Sequence, residues 1–181
     1  MPSSYLIDGY NLIHALGMIR KHAGAGGLEA ARTQLLEFLA NAFGDDAHLV
    51  TVVFDAKQAP RGVQRTQTHR GLGVQFAAKN ESADDRIEKI IDEHATPKAL
   101  VVVSNDQRLQ HAAHRRGAQA WSHEMLLDQL EKMSAKKPAG ADEPEKKDSV
   151  SPEEAKRWLR EFENLEADPT LKENFDHNRF D

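Results

Sequence analysis

The chain has 181 residues, 39% hydrophobic and 29% charged, enough for one globular domain with a sizeable core and an appendage. It contains no cysteine, which excludes disulfides and thiolate metal sites, and no run long and apolar enough to span a bilayer. The net charge of −5 is unevenly spread: residues 1–133 carry 15 Lys/Arg against 16 Asp/Glu, whereas residues 134–181 carry 9 against 13.

Five stretches read as strands: Ser4–Asp8, Leu49–Asp55, Gly73–Ala77, Ala99–Ser104 and a weaker Ala118–Trp121. "LVTVVF" and "ALVVVS" are continuous apolar runs, as expected of strands buried on both faces of a parallel sheet. The first strand runs into "DGYN", where Gly9 is expected to give the chain a sharp exit through unusual backbone angles. Leu28–Phe43 places Leu28, Leu35, Leu39 and Phe43 at helical spacing. "SADDRIEKIIDEHA" repeats isoleucine at 87, 90 and 91, "DQRLQHAAHRRGA" closes on Gly117, and "SHEMLLDQLEKM" opens on Ser122 as a cap. Strand and helix in alternation predict an α/β fold, three-layered with a mostly parallel sheet, over 1–133. Residues 134–150 read as a flexible charged linker. In 151–181, Ser151, Pro152 and Glu154 form a capping signature before an amphipathic helix bearing Trp158, Phe162 and Leu165, which docks on its own domain or on a protein partner. The opening "MPSSYLID" has no basic region before an apolar run and no cleavage site, so a cytoplasmic protein without membrane contact is expected.

Three of these strands end on acids: Asp8, Asp55 and, just past "VVVSN", Asp106. Parallel strands would bring them to one rim, where open α/β sheets bind ligands. Ser104 or Asn105 would cap the helix that follows. In "NESADDRIEKII", Ser82 and Asp85 have capping-box spacing, while Asp84 shares the apolar stripe of Ile87 and Ile91 and faces the rim; Glu81 could reach the same place. Carboxylates about 4 Å apart repel by about 4 kcal/mol per pair at an effective dielectric of 20, a cost that a divalent cation removes. An all-oxygen set favours Mg²⁺ or Mn²⁺ over zinc. His111 and His114, beside Arg115 and Arg116, read as a solvated face. Between Asp55 and Glu81 there is no acid, while Lys57, Arg61, Arg65, Arg70 and Lys79 are basic, so a positive loop is expected beside the acids and able to contact a phosphodiester backbone.

In this order and spacing "LIDGYNLI", "VVFDA", "NESADDRIEKII" and "VVVSNDQRLQHAAHRRGA" resemble the YacP-like branch of the NYN domains, within the PIN-like ribonucleases. The motifs cover about residues 3–133 and leave the tail from Ser134 outside. The resemblance implies a PIN-like fold, a magnesium-binding acidic site and endoribonuclease action on single-stranded RNA, with messenger RNA and the ribosome as partners. Its catalytic residues correspond to Asp8, Asn11, Asp84, Asp85 and Asp106, which raises Asp85 above a cap; where some NYN relatives have a further Asp, this chain has Gln110.

The resulting assignment gives Asp8, Asp84 and Asp106 to the metal, Asp85, Glu81 and Asp55 to secondary roles, Ser104 and Asn105 to the phosphate or the carboxylates, and Lys57, Arg61, Arg65 and Arg70 to RNA. Two other readings remain open: an RNA- or ribosome-binding module that does not cleave, and a magnesium-dependent phosphatase of small molecules, against which the missing "DxD" after the first strand counts.

Overall fold

A computed structural model of the protein describes residues 4–18, 27–55 and 64–136, together with Glu153 and Lys156. Its elements in chain order are β1 (Ser4–Asp8), α1 (Gly9–Ala15), α2 (Gly27–Phe43), a 3₁₀ turn (Gly44–Leu49), β2 (Val50–Phe54), β3 (Thr66–His69), β4 (Leu72–Phe76), α3 (Ala83–Glu93), a 3₁₀ turn (Pro97–Ala99), β5 (Leu100–Val103), α4 (Gln107–Arg116), β6 (Gln119–Trp121) and α5 (His123–Lys136). The strands form one sheet in the order β3-β4-β2-β1-β5-β6, parallel throughout except for β3.

Alternation along the strands builds two cores. Ile7, Val52, Phe54, Val101 and Val103 face a layer that includes Leu12, Leu35, Leu39, Leu126 and Leu130 of α1, α2 and α5. Leu6, Val53, Leu100 and Val102 face Ile87 and Ile91 of α3 and Leu109 and Ala113 of α4. The sheet is therefore sandwiched between helices, and the apolar runs of β2 and β5 are buried on both sides. β1 lies at the centre, and the chain leaves it toward β2 on one side and returns at β5 on the other. That reversal is the switch point where open α/β sheets take their ligands.

Three expectations are corrected. Gly9 does not have a positive φ; it opens α1, and its requirement is space, since a Cβ there would stand 2.2 Å from the Phe54 ring. Residues 66–69 are a strand rather than loop: β3 pairs antiparallel with β4 through a tight turn in which Arg70 (φ 46) and Gly71 (φ 92) both take left-handed angles, the pattern of a two-residue hairpin. The helix after β5 is capped by Asp106, not by Ser104 or Asn105. By contrast Ser82 and Asp85 make the expected capping box, Gly117 ends α4 with φ 75, and Ser122 Oγ accepts from the amide of Met125, 3.2 Å away, in the first turn of α5.

Trp158, Phe162 and Leu165 lie outside the described residues. Lys156, however, bridges Asp128 and Glu131 of α5, so one residue of the C-terminal segment rests on its own domain.

Two consequences can be measured. Phe54 is fully buried between Tyr10 and Phe76 and cannot yield, so Gly9→Ala should cost about 1–3 kcal/mol in a denaturant melt, although alanine is the better helix former. His123 is buried with no hydrogen bond to either ring nitrogen, and burial lowers its pKa to about 4. The unfolded chain, with an ordinary histidine pKa of about 6.5, takes up that proton first. Stability is therefore unaffected above about pH 6.5 and falls as pH drops toward 4, by roughly 3 kcal/mol at pH 4. His123→Leu should flatten that part of the stability profile; a profile identical to the wild type would exclude His123 as its source.

Candidate active site

The end of β1 delivers Asp8 into the switch point with only 3% of its surface exposed. Its carboxylate is held from both sides by one residue. Oδ1 accepts from the Asn11 backbone N–H at 3.2 Å, which makes Asp8 the cap of α1, and Oδ2 accepts from the Asn11 amide at 2.6 Å. Burial still raises the Asp8 pKa; Asn11 works against the shift, and the charge of Asp106 adds to it.

Asp106 stands just beyond β5, beside β1. Its Oδ1 caps α4, accepting from the backbone N–H groups of Arg108 (2.7 Å) and Leu109 (3.3 Å). The loop before it is braced from three directions. Ser104 Oγ accepts from the Asp106 amide, Gln110 donates its side-chain amide to the Ser104 carbonyl at 2.9 Å, and Asn105 Oδ1 accepts from the backbone of His123 at 3.1 Å. Gln110, the position at which the resemblance set an acid against this chain, thus has a structural task. Ser104 and Asn105 likewise hold the loop that carries Asp106.

Asp84, in the first turn of α3, is half-buried. Its pKa is raised by burial and then by the charges of Asp8 and Asp106; Arg108 pulls it down. Three elements widely separated in the sequence therefore bring Asp8, Asp84 and Asp106 within electrostatic reach of one another. Asp85 points elsewhere: it completes the capping box and binds Arg108 Nη2 at 2.7 Å, which with the Ser82 bonds holds its pKa at about 2. Glu81 also turns away, binding Lys89 at 2.6 Å, the Ala78 amide and, at 3.6 Å, Arg65; Lys89 and the Ala78 amide hold its pKa low. Asp55 acts on Tyr10, whose phenol burial raises, while Arg32 at 2.7 Å opposes the rise and Asp55 adds to it.

The basic segment divides. Lys57 and Arg61 lie outside the described residues. Arg65 reaches the rim, where its carbonyl pairs with Phe76 at the end of β4. Arg70 lies at the opposite end of the sheet, in the β3–β4 turn, bound to Glu37 (2.6 Å) and Asn41 (2.8 Å), so it is not beside the acids. The hairpin carries the chain away from the rim and back, which no charge count reveals.

Arg108 was not singled out by its sequence. It forks onto Glu88 through Nε (3.0 Å) and Nη2 (2.8 Å), shares Nη2 with Asp85, and lies close enough to Asp84 to act on it. The signal was its place in "SNDQR", in the first turn of the helix that Asp106 opens.

The donor set suits Mg²⁺ or Mn²⁺ in kind: it consists of carboxylate oxygens, and the pKa values of Asp8 and Asp84 are raised first by burial and then by neighbouring carboxylates, both of which a cation would oppose. Among the described residues no three His, Cys, Asp or Glu are gathered tightly enough to form a ready coordination shell.

A three-layer α/β domain with acids at the switch point of its sheet is the arrangement of PIN-like nuclease folds. The chain matches the model of the YacP-like NYN domain over residues 5–167 and belongs to that family. The matched span includes much of the tail beyond Ser134, which the motifs alone had left out. The chain is 34% identical over 149 residues to the protein of Bacillus subtilis (strain 168) described as "Uncharacterized protein YacP", covering 75% of this chain and 85% of that one. It is also similar to two crystal structures of Rae1 (YacP) from Bacillus subtilis. A mutant form gives a TM-score of 0.56 at 30% identity, covering 72% of this chain and 76% of that chain; the other gives 0.53 at 32%, covering 72% and 75%.

Asn11 donates the hydrogen bonds that most oppose the burial-driven rise of the Asp8 pKa. Asn11→Ala should raise the Asp8 pKa further, read as an upward shift of its carboxyl titration by ¹³C NMR; a titration unchanged from the wild type would exclude that role.

Proposed function

We propose that this protein is a Mg²⁺- or Mn²⁺-dependent endoribonuclease that hydrolyses phosphodiester bonds in single-stranded RNA, acting in the cytoplasm on messenger RNA at the ribosome. The observation that carries the reading is the convergence of Asp8, Asp84 and Asp106 at the switch point, with the charges of Asp8 and Asp106 raising the pKa of Asp84. Membership of a PIN-like nuclease family supports it.

In this mechanism Asp8, Asp84 and Asp106 would hold the ion, which when bound would supply an activated water and charge neutralisation at the phosphate. Asn11 fixes the Asp8 carboxylate and limits its protonation. Ser104, Gln110 and Asn105 hold the loop that presents Asp106. Asp85 and Glu88 restrain the Arg108 guanidinium so that its remaining edge is available to a phosphate oxygen near Asp84. Arg65 contacts the RNA backbone on the other side of the rim. The competing reading, an RNA-binding module that does not cleave, draws support from the engagement of Asp106 in capping and of Asp85 with Arg108.

Cleavage of a mixed-sequence single-stranded RNA is the test, run with Mg²⁺, Mn²⁺ or EDTA beside Asp8→Asn and Asp84→Asn proteins whose circular dichroism matches the wild type. The expected result is metal-dependent cleavage that falls by about 100-fold or more in each variant. RNA binding without cleavage by the wild type would overturn the nuclease reading in favour of the binding module.

A further inference from the structure

α4 has the sequence QRLQHAAHRR and carries no acidic residue. One side of it is spent on the core: Leu109, Ala112 and Ala113 are buried. On the other side Arg108, His111, His114 and Arg115 are exposed. Positions 108, 111 and 115 follow one another at helical spacing and form a stripe. Because α4 opens at Asp106, this stripe begins beside the acid rim and descends the flank of the domain, with Arg115 about 10 Å along the axis from Arg108.

Among the described arginines, Arg115 at the far end of this stripe is unlike the rest. Seven arginines fall within the described residues. Arg32 donates to Tyr10, Arg65 meets Glu81, Arg70 meets Glu37, Arg86 binds Gln75, Arg108 binds Asp85 and Glu88, and Arg116 donates to the backbone of α3. The Arg115 side chain alone has no hydrogen-bond or ion-pair partner among the described residues, and the same holds for His111 and His114. Arg115 lies in the last turn of α4, where its charge favours the helix dipole, yet its guanidinium makes no side-chain bond to the fold among the described residues. It is complementary to a polyanion, and the adjacent imidazoles can stack on exposed bases.

We propose that the outer face of α4 is the track along which a single-stranded RNA leaves the acid rim, with Arg115 holding a backbone phosphate and His111 meeting a base. The assignment deepens the nuclease reading, since the rim supplies one end of the track. It also moves part of the RNA contact from the hairpin, where Arg70 is engaged by Glu37 and Asn41, to the opposite flank of the site.

The test is fluorescence anisotropy of a labelled mixed-sequence single-stranded RNA of about 20 nucleotides with the full-length protein in EDTA, so that cleavage does not enter. Arg115→Glu should weaken binding about tenfold, and His111→Ala by a smaller factor. Arg115→Ala should reduce the slope of log affinity against log salt by about 0.7, the share of one phosphate contact on a single strand. Lys98→Glu, an equal charge reversal on the exposed turn before β5, should stay within about twofold of the wild type. Equal losses in Arg115→Glu and Lys98→Glu would reveal a general charge effect and overturn the track, as would unchanged binding in Arg115→Glu or a wild type that binds no single-stranded RNA. A wild type that binds through α4 but cleaves nothing with metal present would leave the track standing and remove the nuclease reading.

Discussion

A carboxylate almost wholly removed from water at the end of the central strand is the constraint around which this domain is organised. Asp8 cannot be relocated by a residue without exchanging the faces of β1, because neighbouring positions point to opposite cores. Its charge is unfavourable where it sits and is tolerated because α1 starts at once, supplying two donors from Asn11. Starting the helix that early forces α1 down onto β2, so close that Phe54 occupies the place of a side chain at position 9. The carboxylate, the helix start, the glycine and the ring are one connected requirement.

The remaining acids are fixed by different means, and each means is local. Asp106 is held because it caps a helix, and Asp84 because the capping box of Ser82 and Asp85 sets the first turn of α3. Arg108 then ties the two helices together through Asp85 and Glu88. A cap serves twice here: it satisfies backbone donors that the helix leaves open and fixes a charged side chain against a rim.

Much of this was legible in the residues. Continuous apolar runs such as "ALVVVS" announced strands covered on both faces, and the serine-to-aspartate spacing before "RIEKII" announced a capped helix. The acids at strand ends could be gathered on one rim because parallel strands share a direction. What escaped notice lacked such a pattern. β3 reads "TQTH", polar on both faces because it lies at an exposed edge, and its turn uses an arginine where left-handed angles ordinarily favour glycine or asparagine. α1 is only seven residues long and too short for a periodic signal. The partnership of Arg108 with Glu88 and Asp85 links residues about twenty positions apart, a distance at which charge order along the chain says nothing about contact.

The sheet ends on one side in β3, four residues long and wholly polar, and on the other in β6, three residues long. An unfinished sheet margin is a template on which another extended chain can add, and the hazard grows with length and apolar character. Neither border here offers more than two repeats of the pleat, and neither presents an apolar row. The strongly β-forming sequences of this protein, β2 and β5, are confined to the interior, so the native molecule keeps its most aggregation-prone segments away from any surface on which a second copy could pair.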